Sequence, residues 1–187
     1  MNKYTLHPWH GISQGAKAPQ IVEAFIEIPA YSKVKYELDK DSGHLRMDRV
    51  LFSAVHYPQN YGFIPRTLDH DGDPLDILVV MSDAVTPGAL VEAKVLGVMH
   101  MIDQGKIDDK IIAVATGDIA FSKVNELNDL PPYTIEAIVR FFKDYKLLEK
   151  KTTKIEDDLG DKESAYKVIQ ECIEMYEREF CKNEIKL

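Results

Sequence analysis

The spacing of apolar residues changes character once along this chain, and that change constrains the fold more than any other feature. Up to about residue 115 the apolar residues alternate with polar ones or form short runs bounded by turn residues, the pattern of strands. IVEAFIEIP (21–29) reads as a strand. In VKYELD, Val34, Tyr36 and Leu38 share one face, and Lys35, Glu37 and Asp39 the other. LRMDRVL (45–51) returns after the turn DKDSGH, where Gly43 can take positive φ. A turn centred on Ser42 places Lys35 across from Arg49 on one face of this hairpin. HYPQNYGFIPR (56–66), rich in Pro, Gly and Asn, reads as a structured loop. ILVV (77–80) is a short buried strand, ALVEAKVLGVMHMI (89–102) one long bent strand or two, QGKIDDK (104–110) a loop, and IIAVA (111–115) a further strand.

Beyond Asn128 the period becomes helical. Asn128 and Asp129, followed by Pro131 and Pro132, mark a helix start, because proline in the first turn gives up no needed N–H. Ile135, Ile138, Val139, Phe142 and Tyr145 then form one stripe. A second stripe begins near Asp161 and runs through Ala165, Val168, Ile169, Cys172, Ile173, Tyr176 and Phe180. Short strands followed by two helices predict an α+β fold, a small closed or nearly closed barrel with helices packed on it. A chain of 187 residues suits a single domain over 1–187, with residues 1–20 as a loosely organised N-terminal arm.

Charge narrows the function classes. The net charge of -8, with no Lys/Arg block, argues against a nucleic-acid partner. No segment approaches the roughly 20 apolar residues that span a bilayer, and MNKYTLHPWHG lacks the apolar core of a signal peptide, so no membrane partner is expected. Cys172 and Cys181 lie nine residues apart on one helical pattern, roughly 13 Å along it, too far for a bridge. Two reduced thiols fit a reducing, cytoplasmic location.

The chemistry concentrates in HDGDPLDILVV (70–80), where Asp71, Asp73 and Asp76 crowd before an apolar run. A calcium loop starting at Asp69 fails, since Pro74 and Val80 stand where it needs glycine and a carboxylate. The stretch then reads either as a solvated acidic turn, which Gly72 and Pro74 suit, or as a hard-oxygen cage for Mg²⁺ or Mn²⁺. Pro74 favours the cage by pushing Asp73 into extended geometry, which sends Asp71 and Asp73 to the same side. A second cluster, Asp103, Asp108 and Asp109, lies at other strand ends, and Glu27 and Glu37 sit on neighbouring strands. Lys35, Arg49, Lys110 and Lys146 are each readable as surface charges, although arginine's fork matches phosphate. Tyr57, Tyr61 and Tyr145 are core aromatics or phenolic donors. His7, Trp9 and His10 in HPWHG read as a segment docking its tryptophan, and His100 as a hydrogen-bonded structural residue within a strand. Carboxylates together with cations and phenols suggest metal-assisted phosphoryl chemistry. The rivals are an OB-like module that binds a metal–polyanion without cleaving it, and a hydrolase of another phosphoanhydride.

These residues also carry a family resemblance. DGDPLD (71–76) resembles the signature of the soluble family I inorganic pyrophosphatases of the bacterial type. IEIP (26–29), KYELD with SG (35–43), DR (48–49), YPQNYG (57–62), PGALVEAKVLGVMHMID (87–103), DDKIIAV (108–114) and FFKDYKLLEK (141–150) follow in that family's order. The resemblance implies a five-stranded OB-like barrel with two main helices, and Mg²⁺-dependent hydrolysis of pyrophosphate to two phosphates, with Mn²⁺ or Zn²⁺ as substitutes. By position, Asp71, Asp76 and Asp108 would ligate the principal metal, and Asp76 would bridge to a second. Asp103 with Asp108 would hold a metal arriving with substrate, and Glu27 and Glu37 would act through water. Asp73 would be the base for the attacking water or orient it, with Tyr57 supporting that region. Lys35, Arg49, Tyr61, Lys110, Tyr145 and Lys146 would grip the phosphates. The resemblance also implies a homo-oligomer, a hexamer in bacterial members. The chain departs from those members in a shorter 115–129 segment, in Arg140 and Asp144 where histidines are common, and after LEK, where Lys151 or Lys154 is left as the candidate for a further site lysine.

Overall fold

Ten strands and three α-helices stand among residues 7–151, 153–155 and 159–181, which the computed structural model describes. A four-residue α1 (Pro8–Gly11) precedes β1 (Ile21–Ile28), β2 (Val34–Leu38), β3 (Leu45–Val50), β4 (Asn60–Phe63) and β5 (Asp76–Val80). Then come β6 (Leu90–Met99), β7 (Met101–Asp103), β8 (Lys106–Ile107) and β9 (Lys110–Ala115). The chain closes with α2 (Pro132–Asp144), β10 (Thr153–Ile155) and α3 (Lys162–Tyr176).

Five strands form a closed barrel in the order β1-β4-β5-β9-β6. The pairings are antiparallel except β5 with β9, which run parallel with Asp76 beside Lys110. Both are buried nearly throughout because each face meets a different core. Ile77, Val79, Ile111 and Ala113 pack in the cluster that includes α3, whereas Leu78, Val80, Ile112 and Val114 pack in the cluster that includes α2. Burial on both faces is why these strands read as unbroken apolar runs. The helices start as expected, α2 with Pro132 in its first turn and α3 capped by Asp161, whose carboxylate accepts from Ser164 N–H at 2.9 Å. Phe180 falls beyond α3, in a π-helical turn, and is 40% exposed rather than continuing the buried stripe.

The expected loop over 56–66 contains a barrel strand, β4, buried along its whole length. Asn60 and Gly62 are poor strand formers, but each has a packing role here. A Cβ on Gly62 would lie 1.9 Å from the Phe25 carbonyl oxygen, so only glycine lets β4 approach β1 this closely. The buried Asn60 accepts from Ala30 and Val85 N–H groups, both at 3.0 Å, and donates to the Asp83 carbonyl at 2.9 Å, stitching two loops to the strand. The 104–110 loop contains the short β8, and the 89–102 segment is two strands broken at His100.

The β2–β3 hairpin stands outside the barrel as its own two-stranded sheet, with Lys35 opposite Arg49 as expected. That pairing arises from a bulge. Tyr36 to Leu38 pair with Met47, Arg46 and Leu45, a register centred between Asp41 and Ser42, and the extra residue Asp48 shifts it. The expected loose arm is packed over residues 7–10. Trp9 is buried against Phe25, Leu38, Phe63 and Tyr176, and its indole N–H donates to the Thr67 carbonyl at 2.7 Å. Among the described residues no helix is long and apolar enough to cross a membrane, and both cysteines are free.

Candidate active site

One mouth of the barrel opens into a pocket of about 410 Å³. The ends of β1, β5 and β7, the hairpin, the loop before β5 and the end of α2 all contribute to its wall. It is lined by Glu27, Lys35, Glu37, Arg49, Tyr57, Tyr61, Asp71, Asp73, Asp76, Asp103, Asp108, Tyr145 and Lys146, every sequence candidate except Lys110. Lys110 lies just beneath, 1% exposed, where its ammonium bridges Asp76 Oδ2 at 2.7 Å and Asp108 Oδ1. Lys151 lines the pocket and the exposed Lys154 does not.

Backbone irregularities aim several of these groups. Along β1, Ile26 pairs with Gly62 and Ile28 with Tyr61, so Glu27 is the bulged residue between them. A bulge redirects its side chain, and here it turns a carboxylate toward the pocket. Glu27 Oε1 accepts from Leu38 N–H at 2.7 Å, which moors the hairpin to the barrel. Burial foremost, and then the nearby Asp76, raise the Glu27 carboxyl from 4.5 to about 8. The bulge at Asp48 does the same for its neighbour: Arg49 turns to donate from Nε to Glu149 Oε1 at 2.8 Å and from Nη1 to Asp48. Burial opposes the guanidinium's charge, but Glu149 and Asp48 outweigh it and hold its pKa above the usual value.

The loop carrying DGD is a tight turn. Asp69 N–H donates to the Asp73 carbonyl at 2.7 Å, and Asp73 N–H to Asp71 Oδ1 at 2.9 Å. Burial lifts Asp71 to about 6 and also raises Asp76. The Lys110 ammonium is shifted upward as well: burial works against its charge, but Asp76 and Asp108 more than offset that, so it stays charged. Across the pocket Lys146 Nζ contacts Asp103 Oδ2 at 2.5 Å. The phenols rest on an aromatic stack: Tyr57 lies 5.3 Å from Tyr61 and 4.7 Å from Phe141, and Phe141 stacks on Tyr145 at 5.2 Å. Burial pushes all three phenols well above 10, so they remain protonated donors, Tyr61 toward Asp76 Oδ2.

Two polar contributors escaped the sequence. Lys40, in the hairpin turn, lines the pocket and pairs with Asp73. Glu149 has a side chain only 4% exposed and anchors Arg49. A lone Lys in a turn and a lone Glu after two leucines look like surface charges, and no local pattern distinguishes them.

The donor set suits a hard cation and an anion together. Among the described residues, Asp103 Oδ1 and Arg49 Nη2 are buried without a hydrogen-bond partner: an acceptor free for a cation and a donor free for an anion, in one cavity. Also among them, no three Asp, Glu, His or Cys side chains converge as a ready-made cage. Ammonium groups sit on these carboxylates instead, so metal loading requires the carboxylates to exchange partners. All-oxygen donors of this kind fit Mg²⁺ or Mn²⁺.

A family model described as inorganic pyrophosphatase matches residues 24–177. The chain is 47% identical over 180 residues to soluble inorganic pyrophosphatase 2 of Chlamydomonas reinhardtii, covering 96% of this chain and 93% of the relative. It is 48% identical over 170 residues to soluble inorganic pyrophosphatase 1 of Arabidopsis thaliana, covering 91% and 80%. The crystal structure of inorganic pyrophosphatase from Thermus thermophilus superposes with a TM-score of 0.86 at 38% identity, over 91% of this chain and 99% of that one.

Proposed function

Because the chain belongs to the inorganic pyrophosphatase family and is an inorganic diphosphatase, we propose that it hydrolyses pyrophosphate to two phosphates in a Mg²⁺-dependent reaction within this pocket. The observation that carries the reading is the juxtaposition of the unpartnered Asp103 Oδ1 and Arg49 Nη2 in a cavity lined by acids and bases alike. Asp71, Asp76, Asp103 and Asp108 would hold the metal, with Glu27 and Glu37 acting through water. When bound, Mg²⁺ neutralises phosphate charge and lowers the pKa of a coordinated water, the chemistry these acids cannot supply alone.

The remaining work belongs to the chain's own groups. Lys35, Arg49 and Lys146 present positive charge to the phosphate oxygens, and the protonated Tyr61 and Tyr145 donate hydrogen bonds. Lys110 holds Asp76 and Asp108 from beneath. Asp73 accepts the proton of the attacking water, and Tyr57 supports that side of the pocket. Held in place, these groups act mainly by positioning and electrostatics.

Phosphate release from pyrophosphate, with Mg²⁺ and after chelation, tests the reading: release should require the metal, and Mn²⁺ or Zn²⁺ should restore part of it. Full activity in chelator would refute it. We further assign a cytoplasmic location, supported by the two free thiols. A homohexamer is supported by exposed apolar side chains at Tyr133, Leu147 and Leu148, with Arg140 and Asp144 paired on α2 at 2.6 Å. Sedimentation at the mass of one chain would overturn the hexamer.

A further inference from the structure

Two buried carboxylates that stay outside the pocket connect the segments that line it. Asp69 is 3% exposed and Asp109 is 7% exposed, and neither reaches the cavity. The backbone of Asp69 closes the turn carrying Asp71 and Asp73. Its N–H donates to the Asp73 carbonyl at 2.7 Å, and its carbonyl accepts from Gly72 N–H at 3.0 Å. Its side chain bridges that turn to a second segment. Oδ1 accepts from His70 N–H at 2.7 Å, and Oδ2 accepts from Asp109 N–H at 3.2 Å, the peptide immediately after Asp108.

Asp109 continues the connection. Its Oδ1 accepts from Met101 N–H at 3.3 Å, and its Oδ2 bonds His100 Nδ1 at 3.0 Å. Met101 opens the strand that ends in Asp103, and its carbonyl accepts from Asp108 N–H at 2.9 Å. The turn bearing Asp71 and Asp73 is thus crosslinked, through a bond that spans 40 residues, to the hairpin bearing Asp103 and Asp108, whose two arms are themselves tied together by Asp109. Only a carboxylate can do this at position 69. Both of its oxygens meet main-chain N–H donors, and an amide could satisfy one of them while turning its own NH₂ toward the other. Shielded from water, such bonds hold their geometry, and breaking one strands a buried donor.

We propose that Asp69 and Asp109 are positioning residues that set the spacing of the pocket carboxylates and thereby tune metal affinity rather than the chemical step. The proposal rests on the reading of the pocket as a Mg²⁺ site. Partners that orient metal ligands from behind commonly change affinity by roughly 10–100-fold when removed.

The test titrates Mg²⁺ alone into the full chain by calorimetry and, separately, measures kcat at saturating Mg²⁺. Asp69→Asn and Asp109→Asn should weaken Mg²⁺ binding roughly tenfold while kcat at saturating metal stays near that of the unmodified chain. Ile173→Val, a core change in α3, should lower stability and leave Mg²⁺ affinity unchanged. A folded Asp69→Asn and a folded Asp109→Asn that both bind Mg²⁺ normally would overturn the proposal, as would kcat loss with unaltered affinity. If neither variant folds, His100→Ala decides, since it removes the bond to Asp109 and leaves both carboxylates in place: weaker Mg²⁺ binding supports the proposal, and unchanged binding overturns it. An unmodified chain that binds no Mg²⁺ would instead defeat the metal reading itself, which keeps the two failures distinct.

Discussion

At the scale of single residues, Asp73 is set apart from the other acids of its turn. Its neighbour Asp71 folds back to accept from the Asp73 N–H, and Asp76 is committed to Lys110 and Tyr61. Asp73 faces the cavity with the Lys40 ammonium against it, and both side chains are about half exposed. A proton acceptor needs that freedom. Asp73→Asn keeps shape and removes basicity, so kcat should fall by roughly 10²–10⁴-fold, the usual worth of a positioned base. Calorimetry should show Mg²⁺ affinity little changed. Unchanged turnover would remove Asp73 from the reaction.

At the scale of elements, three local breaks in regularity shape the site: the bulges at Glu27 and Asp48, and the close approach at Gly62. The Glu27 bulge and the Gly62 contact depend on a strand distant in sequence, and the Asp48 bulge on the other strand of its own hairpin. The Gly62 contact gives the sharpest expectation. An added methyl would collide with backbone rather than with a movable side chain, so β4 would have to separate from β1. Gly62→Ala should cost at least about 2 kcal/mol in chemical denaturation. It should also reduce activity, because Tyr61 sits next to the displaced residue. A stability equal to that of the unmodified chain would mean that the two strands are not packed as described.

At the scale of the molecule, a chain of net charge -8 gathers seven carboxylates at one barrel mouth, and folding buries several of them. Burial raises Glu27 to about 8 and Asp71 to about 6, so the folded state binds their protons more tightly than the unfolded chain does. The associated stability is fully present below the unfolded values near 4, and is lost as pH rises through 6 and then 8. Lys110, shifted upward, stays charged across that window and adds no slope. The metal-free protein should therefore melt at a lower temperature at about pH 8.5 than at about pH 5.5. Mg²⁺ should raise the melting temperature most at the alkaline end, where it replaces the lost protons. Scanning calorimetry in chelator and in Mg²⁺ checks both. A melting temperature that rises with pH in chelator would contradict the burial of Glu27.

By itself the sequence determined the succession of strands and two helices, because hydrophobic period is a local property that survives any tertiary arrangement. It also carried the chemical inventory: DGDPLD, the second acidic cluster, and an arginine on the same hairpin face as Lys35. The tertiary structure alone decided which segments close the barrel. Asn60 and Gly62 look like loop residues until the strand they must approach is known. It alone placed the hairpin outside the barrel and drew Lys40 and Glu149 to the site. It also hid Asp69 and Asp109 behind the pocket carboxylates, although in sequence they look like two more acids of the same clusters. The reason is physical. A charge on a strand end or turn reads the same whether it meets water or a partner thirty residues away, and only chain closure brings that partner within hydrogen-bond reach.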